Sequence, residues 1–214
     1  YATRQAGDPG SVFKVFDCMM ALEDGKIPSL DKKMPTHTGY YDAGPFSNVK
    51  NHKRELYKDK HLFFSEVHSD SIKIIDALKV SSNNVFMELI VNNYGDNPQR
   101  YLDRLYGTGL FTSFDFDIDG LATPALPTYG NPNSWSAPTL PNIAIGYSVT
   151  LTPLHLVTLY GGIANDGMMM RPYLVEGFMK DGKVCNGMKA GNTGKGVLNA
   201  SLCSKETAEE IRRG

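Results

Sequence analysis

The stretch "AGDPGSVFKVFDCMMALEDG", residues 6–25, combines a helix pattern with two side chains that can do chemistry. An apolar face follows a Pro-Gly turn, and Gly25 is placed to end the helix. The pattern predicts a helix over residues 11–24. Ser11 stands at its start, and Lys14 follows three positions later.

The spacing of Ser11 and Lys14 allows two interpretations. Positions i and i+3 share one face of a helix, so Lys14 can reach the Ser11 hydroxyl. A serine needs a neighbouring base to become a nucleophile, and a helix N-terminus favours a developing oxyanion. Lysine has an ordinary pKa of about 10.4, and burial would have to lower it before it could act as that base. In the other interpretation, Ser11 is a helix cap and Lys14 is a solvated side chain.

The Ser-x-x-Lys pattern is weak by itself, because the chain repeats it at Ser29/Lys32 and Ser47/Lys50. Only the copy at Ser11 precedes an apolar helix. A second candidate group is Ser81-Ser82-Asn83, which lies between two helical runs. Its side chains could relay a proton and hold a peptide backbone, or they could simply cap the next helix.

The composition describes an ordinary soluble surface. The 214 residues are 41% hydrophobic and 21% charged, with a formal net charge of −1. This balance does not favour nucleic acid as a partner. No apolar run approaches the roughly 18 residues that span a bilayer. The three cysteines are scattered without metal-ligand spacing, and Cys18 fits a buried free thiol.

The rest of the chain is mostly helical, with few strands. Two long stretches, 29–69 and 111–142, read as irregular, and the first is expected to hold short strands or a loop over a groove. Asp181-Gly182 predicts the turn of a β-hairpin within residues 171–185. Thr152 and Ser204 are predicted helix N-caps. The predicted helices after the first cover residues 72–78, 85–91, 97–109, 153–164 and 205–214.

Three stretches, taken in order, resemble the transpeptidase domain of penicillin-binding proteins. "DPGSVFK" resembles the family's EPGS-x-x-K element, and "ALKVSSNNVF" resembles its AL-x-x-SSN-V-x-F element. "IAIGYSVTLTPLHLVTLYGGIANDGMMMRPYLV" resembles the long GYG-x-x-VTPLQLA-x-AYAAIANGG element, with Ser148 in place of the second glycine. Asn84 also departs from the pattern, which usually has a small or apolar residue there. "DNPQRYLDRLYGTGL" and the final residues are similar to class B, monofunctional members of the septal cell-division type.

The resemblance implies a peptidoglycan D,D-transpeptidase that cross-links stem peptides. Ser11 would be the acylated nucleophile and Lys14 its base. Ser81 would shuttle the proton, Asn83 would bind the substrate amide, and Tyr147 would line the substrate cleft. The substrates would be stem peptides ending in D-Ala-D-Ala, and β-lactams would acylate Ser11. The resemblance implies neither a metal nor an organic cofactor.

The resemblance also implies an α+β fold of the serine β-lactamase and penicillin-binding type. The third family motif, Lys-Thr/Ser-Gly, is expected on a strand after the last helix, and it is absent from the sequence. Lys189-Ala190-Gly191 is rejected as a substitute, since it precedes that helix and lacks the hydroxyl residue. We therefore expect residues 1–214 to be a partial transpeptidase domain: the helical subdomain and a hairpin, without most of the central sheet. Such a fragment is expected to be inactive by itself.

Two alternatives stay open at this stage. The first is a class D-type β-lactamase or a β-lactam sensor domain, which shares the serine–lysine helix. The second is a non-catalytic scaffold of a division complex. By the resemblance alone, the protein is expected to be anchored in the inner membrane with this domain in the periplasm. Its expected protein partners are divisome or glycosyltransferase membrane proteins, and nucleic acid is not among the expected partners.

Overall fold

A computed structural model of the chain describes residues 2–37, 40–42, 56–58, 70–112, 114, 116–175, 179–184 and 196–214. A 3-10 turn, Gly10–Phe13, leads into the first helix. The α-helices in these ranges are α1 (Lys14–Glu23), α2 (Ile74–Lys79), α3 (Asn83–Tyr94), α4 (Pro98–Gly107), α5 (Thr139–Ala144), α6 (Pro153–Ala164) and α7 (Lys205–Arg212). The described residues therefore form an α+β structure in which helices dominate.

The strands are short and form two-stranded antiparallel pairs. They are β1 (Lys33–Pro35), β2 (Tyr40–Asp42), β3 (Leu56–Lys58), β4 (Ser71–Lys73), β5 (Met169–Met170), β6 (Met179–Lys180), β7 (Lys183–Val184) and β8 (Val197–Asn199). The pairs are β1 with β4, β2 with β3, β5 with β8, and β6 with β7. The β6–β7 pair encloses Asp181-Gly182, so the predicted hairpin turn is confirmed.

Helix α1 is the centre of the core. Its residues from Lys14 to Ala21 are all buried, and it packs against α3 and α7. The rings of Phe13 and Phe16 stack with their centroids 4.6 Å apart. A helix buried all round is held by packing rather than by its own propensity, which gives a rigid base for the residues before it.

The predicted helix caps at Thr152 and Ser204 are confirmed. Thr152 Oγ1 accepts the His155 N–H at 3.3 Å, and Ser204 Oγ accepts the Thr207 N–H at 3.1 Å. Pro153 occupies the first turn of α6, where its missing N–H costs no hydrogen bond.

Two predicted elements differ from the structure. Residues 72–78 do not form one helix, because β4 ends at Lys73 and α2 begins at Ile74. The β4 strand pairs with β1, a partner about forty residues earlier that a local pattern does not reveal. The stretch 111–142 is also not wholly irregular, since α5 starts at Thr139.

Some predictions fall outside the described residues. They concern the Ser47/Lys50 pair, the loop that contains Lys189 to Gly191, and Cys185. Cys18 is a buried free thiol, as predicted. Across the described ranges, no helix combines the length and apolar character needed to cross a bilayer.

Candidate active site

Ser11 lies inside the 3-10 turn that precedes α1. A 3-10 turn has three residues per turn, so side chains at i and i+3 eclipse one another. Ser11 is therefore carried directly over Lys14, and Ser11 Oγ lies 3.2 Å from Lys14 Nζ. The interpretation of Ser11 as a helix cap is wrong, because the cap positions are Pro9 for the turn and Phe13 for α1.

Lys14 is completely buried, and its amine is the centre of the candidate site. Its Nζ lies 2.6 Å from the carbonyl oxygen of Ser81, 3.0 Å from Ser81 Oγ and 2.7 Å from Asn83 Oδ1. The Phe86 ring centroid is 5.6 Å away on another side. The interpretation of Lys14 as a solvated side chain is therefore wrong.

The connection between α2 and α3 presents Ser81 and Asn83 to this amine. Ser81 has a left-handed backbone with φ of 56°, which is unusual for a residue with a side chain. Its carbonyl and its hydroxyl are both within hydrogen-bonding distance of Lys14. Ser82 caps α3 by accepting the Val85 N–H, so the capping interpretation holds for Ser82.

The donors and acceptors around Lys14 fit proton transfer. A carbonyl and an amide oxygen can only accept, so two N–H groups of a neutral amine satisfy Ser81 O and Asn83 Oδ1. Its lone pair is then available for the proton of either the Ser11 or the Ser81 hydroxyl. An ammonium would donate its third proton to one of the same hydroxyls. The same arrangement thus accommodates the lysine before and after it takes a proton.

A buried acid lies one turn after Lys14 and was missed by the sequence analysis. Asp17 is fully buried, and its Oδ1 accepts a short hydrogen bond from the Tyr101 hydroxyl on α4. Burial raises the pKa of the Asp17 carboxyl, against the lowering effects of Tyr101 and Lys14. The available signal was an acidic residue inside an apolar helix face. Burial thus disfavours the charged form of a carboxyl that lies one turn after Lys14.

The segment before Ser11 lies against a second stretch, residues 146–151. Gly10 donates its N–H to the Gly146 carbonyl at 2.9 Å. Gly7 and Leu151 exchange two backbone hydrogen bonds of 3.1 and 3.0 Å. A Cβ on Gly146 would collide with the backbone of Gly10, so glycine is required by this close approach.

Tyr147 lies directly after Gly146, and its side chain is 51% exposed. Among the described residues, no hydrogen bond joins the Tyr147 side chain to the Lys14 cluster. The structure therefore brings Ser11, Lys14, Ser81 and Asn83 together, and it places Tyr147 at the surface of the neighbouring segment. In the part of the chain that is described, no three His, Cys, Asp or Glu side chains are grouped to hold a metal ion.

Comparison with known families identifies the class of protein. The family model described as "Penicillin binding protein transpeptidase domain" matches residues 1–214. The chain therefore belongs to the penicillin-binding protein transpeptidase family.

Among curated proteins, the chain is 25% identical over 181 residues to a "Peptidoglycan D,D-transpeptidase FtsI homolog" of Mesostigma viride, covering 79% of this chain and 27% of that protein. It is 24% identical over 170 residues to "Penicillin-binding protein PbpB" of Mycolicibacterium smegmatis, covering 79% of this chain and 23% of that protein. The chain thus spans about a quarter of the length of these relatives.

Solved structures show the same fold. The transpeptidase domain of Burkholderia pseudomallei penicillin-binding protein 3 matches with a TM-score of 0.71 and 18% identity, over 99% of this chain and 53% of that one. Penicillin-binding protein 3 of Mycobacterium tuberculosis, complexed with aztreonam, matches with a TM-score of 0.72 and 22% identity, over 99% of this chain and 41% of that one.

Proposed function

We propose that the full-length protein is a serine-type peptidoglycan D,D-transpeptidase with Ser11 as its nucleophile. One observation carries this proposal: the buried Lys14 amine lies within hydrogen-bonding distance of the Ser11 and Ser81 hydroxyls, in a chain of the penicillin-binding family. A nucleophile with an adjacent base, oriented by a third group, is the arrangement that acyl transfer requires.

In the first half-reaction, Ser11 Oγ attacks the carbonyl carbon of the penultimate D-Ala of a stem peptide. Lys14 takes the hydroxyl proton as the C–O bond forms. The C–N bond to the terminal D-Ala then breaks, and this leaving amine receives a proton from Lys14 through the Ser81 hydroxyl. The product is an ester between Ser11 and the shortened stem peptide. The Asn83 amide, beside Lys14 Nζ, would bind the substrate backbone.

In the second half-reaction, an amine of a neighbouring stem peptide attacks the ester carbonyl. The amine loses its proton to Lys14 as the new amide forms, and Ser11 leaves with a proton returned to its oxygen. Tyr147, at the surface beside the turn, would line the path of the stem peptide. β-Lactams would acylate Ser11 as mimics of D-Ala-D-Ala.

The proposed setting is septal cell-wall synthesis by a class B enzyme. Its support is the FtsI and PbpB names of the relatives. In this proposal the protein is anchored in the inner membrane, this domain faces the periplasm, and the partners are divisome or glycosyltransferase membrane proteins.

The first experiment is mass spectrometry after incubation with benzylpenicillin. It compares the full-length protein with its Ser11→Ala variant, which keeps the backbone and removes only the hydroxyl. We expect a stable adduct of one penicillin on Ser11 and none in the variant. A folded full-length protein that forms no adduct would refute the catalytic proposal and favour the scaffold. Rapid loss of the adduct would favour a β-lactamase.

A further inference from the structure

The 3-10 turn Gly10–Phe13, named here the nucleophile turn because it carries Ser11, is held by one continuous stretch of chain. Residues 146–160, named here the clamp segment, contact residues 7–12 at three separate points. Two of these contacts join backbone to backbone, at Gly10 with Gly146 and at Gly7 with Leu151. The third is different, since it comes from a side chain on α6.

The third contact is a hydrogen bond from Tyr160 to the residue after Ser11. The Tyr160 hydroxyl donates to the carbonyl oxygen of Val12 at 3.0 Å. Ser11 and Val12 are both exposed, so packing does little to fix this part of the turn. Burial raises the pKa of the Tyr160 phenol, which keeps its proton and remains a donor.

The geometry of this bond connects it to the chemistry. Residues 10–13 have the 3-10 form, in which Ser11 lies directly over Lys14. In an α-helix, the Val12 carbonyl would point along the helix to the N–H four residues later. The carbonyl oxygen has two lone pairs, so the Tyr160 hydroxyl can bind it from the side of the turn and restrain the backbone next to Ser11.

We propose that Tyr160 is a positioning residue for acylation, which holds the Val12 carbonyl so that Ser11 stays over Lys14. Its hydroxyl binds the Val12 carbonyl, so in this proposal it acts through the backbone of the turn and not on the reacting atoms. The inference rests on the proposed function of Ser11 and Lys14. A misalignment of about 1 Å between a nucleophile and its base lowers reaction rates severely, while binding of the ligand is affected much less.

The test compares Tyr160→Phe with Tyr106→Phe in the full-length protein. Both variants keep the ring and lose only a hydroxyl, and Tyr106 is similarly exposed but lies on α4. Acylation by benzylpenicillin is followed over a range of concentrations, which separates the dissociation constant from the acylation rate constant. Amide hydrogen exchange at residues 10–14 is measured on the same samples.

We expect Tyr160→Phe to lower the acylation rate constant about tenfold, with a dissociation constant within about twofold of the wild type. Exchange at residues 10–14 should accelerate, while Tyr106→Phe leaves all three quantities unchanged. An acylating wild type with an unimpaired Tyr160→Phe variant overturns this inference alone. A wild type that forms no Ser11 adduct overturns the inference together with the proposed function.

Discussion

Ser148 adopts a backbone conformation that normally favours glycine. It has a left-handed conformation with φ of 60°, and it stands where the resembling family element has glycine. For a residue with a side chain this conformation costs about 1–2 kcal/mol. Glycine adopts it freely, although glycine loses more entropy on folding.

Ser148→Gly should therefore raise the free energy of unfolding by about 0.5–1 kcal/mol. The measurement is urea denaturation followed by circular dichroism. Ser201→Gly is the matched control, since Ser201 is not among the described residues with positive φ, and its replacement should destabilise slightly. Equal effects of the two substitutions would contradict the argument.

At the residue scale, the main contacts of the site were predictable from the sequence. Ser11, Lys14, Ser81 and Asn83 stand in short local patterns, and the structure brings these four together. Tyr160 gave no such signal, because its partner is 148 residues away in the chain. The roles of the four residues in catalysis stay predictions until the adduct is measured.

At the element scale, the clamp segment depends on the close approach of two backbones. Gly146 and Gly130 have nearly the same φ, 78° and 79°. A Cβ on Gly146 would lie 2.7 Å from the nitrogen of Gly10, whereas a Cβ on Gly130 would meet nothing within 4 Å. The two glycines thus share one conformational cost and differ in what an added Cβ would meet.

Gly146→Ala should lose about 2 kcal/mol more unfolding free energy than Gly130→Ala, because only the first must push the clamp segment away from the nucleophile turn. Gly146→Ala should also slow the acylation of Ser11, and Gly130→Ala should not. Chemical denaturation and penicillin labelling measure the two effects. Equal stability losses would show that conformation rather than contact determines the need for glycine.

The elements that the sequence mispredicted have physical explanations. Strand β4 is only three residues long and continues directly into α2. Its apolar residue therefore fits the apolar spacing of the helix that follows. Helix α5 was not predicted because the prolines around it are typical of irregular structure. Pro141 is the third residue of α5, within the first turn, where proline removes no intrahelical hydrogen bond. The helices α3, α6 and α7 were predictable because their apolar periodicity and caps are local.

At the scale of the whole molecule, stability should depend on pH through His155. This side chain is fully buried; its Nδ1 lies 2.7 Å from Thr152 Oγ1, and its Nε2 has no hydrogen-bond partner among the described residues. Burial lowers the pKa of His155 from 6.5 to about 4. Between these pH values His155 is therefore protonated in the unfolded chain and neutral in the folded chain.

This stabilising contribution should be complete above pH 6.5 and lost as the pH falls through about 4. Its full size is about 3 kcal/mol. Asp17 acts in the opposite direction, because its raised pKa makes its contribution decline as the pH rises above 3.8. The comparison of wild type with His155→Gln cancels the contribution of Asp17, because both proteins contain Asp17. Glutamine is the residue of the resembling VTPLQLA element at this position.

Urea denaturation at pH 7, 6, 5 and 4.5 measures both proteins. We expect the wild type to lose more stability on acidification than His155→Gln does. Parallel losses in the two proteins would mean that His155 is not the responsible group.

The long separation between the clamp segment and the nucleophile turn has a consequence during synthesis. Tyr160 follows Val12 by 148 residues, so a ribosome needs roughly 7–30 s to supply it. Throughout that interval the nascent chain contains Ser11 and Val12 without the hydrogen bond from Tyr160. Closing the loop between Val12 and Tyr160 also carries an entropic cost, which is offset only when later contacts form. The arrangement of residues 10–13 seen in the structure therefore cannot be complete before the clamp segment has been synthesised.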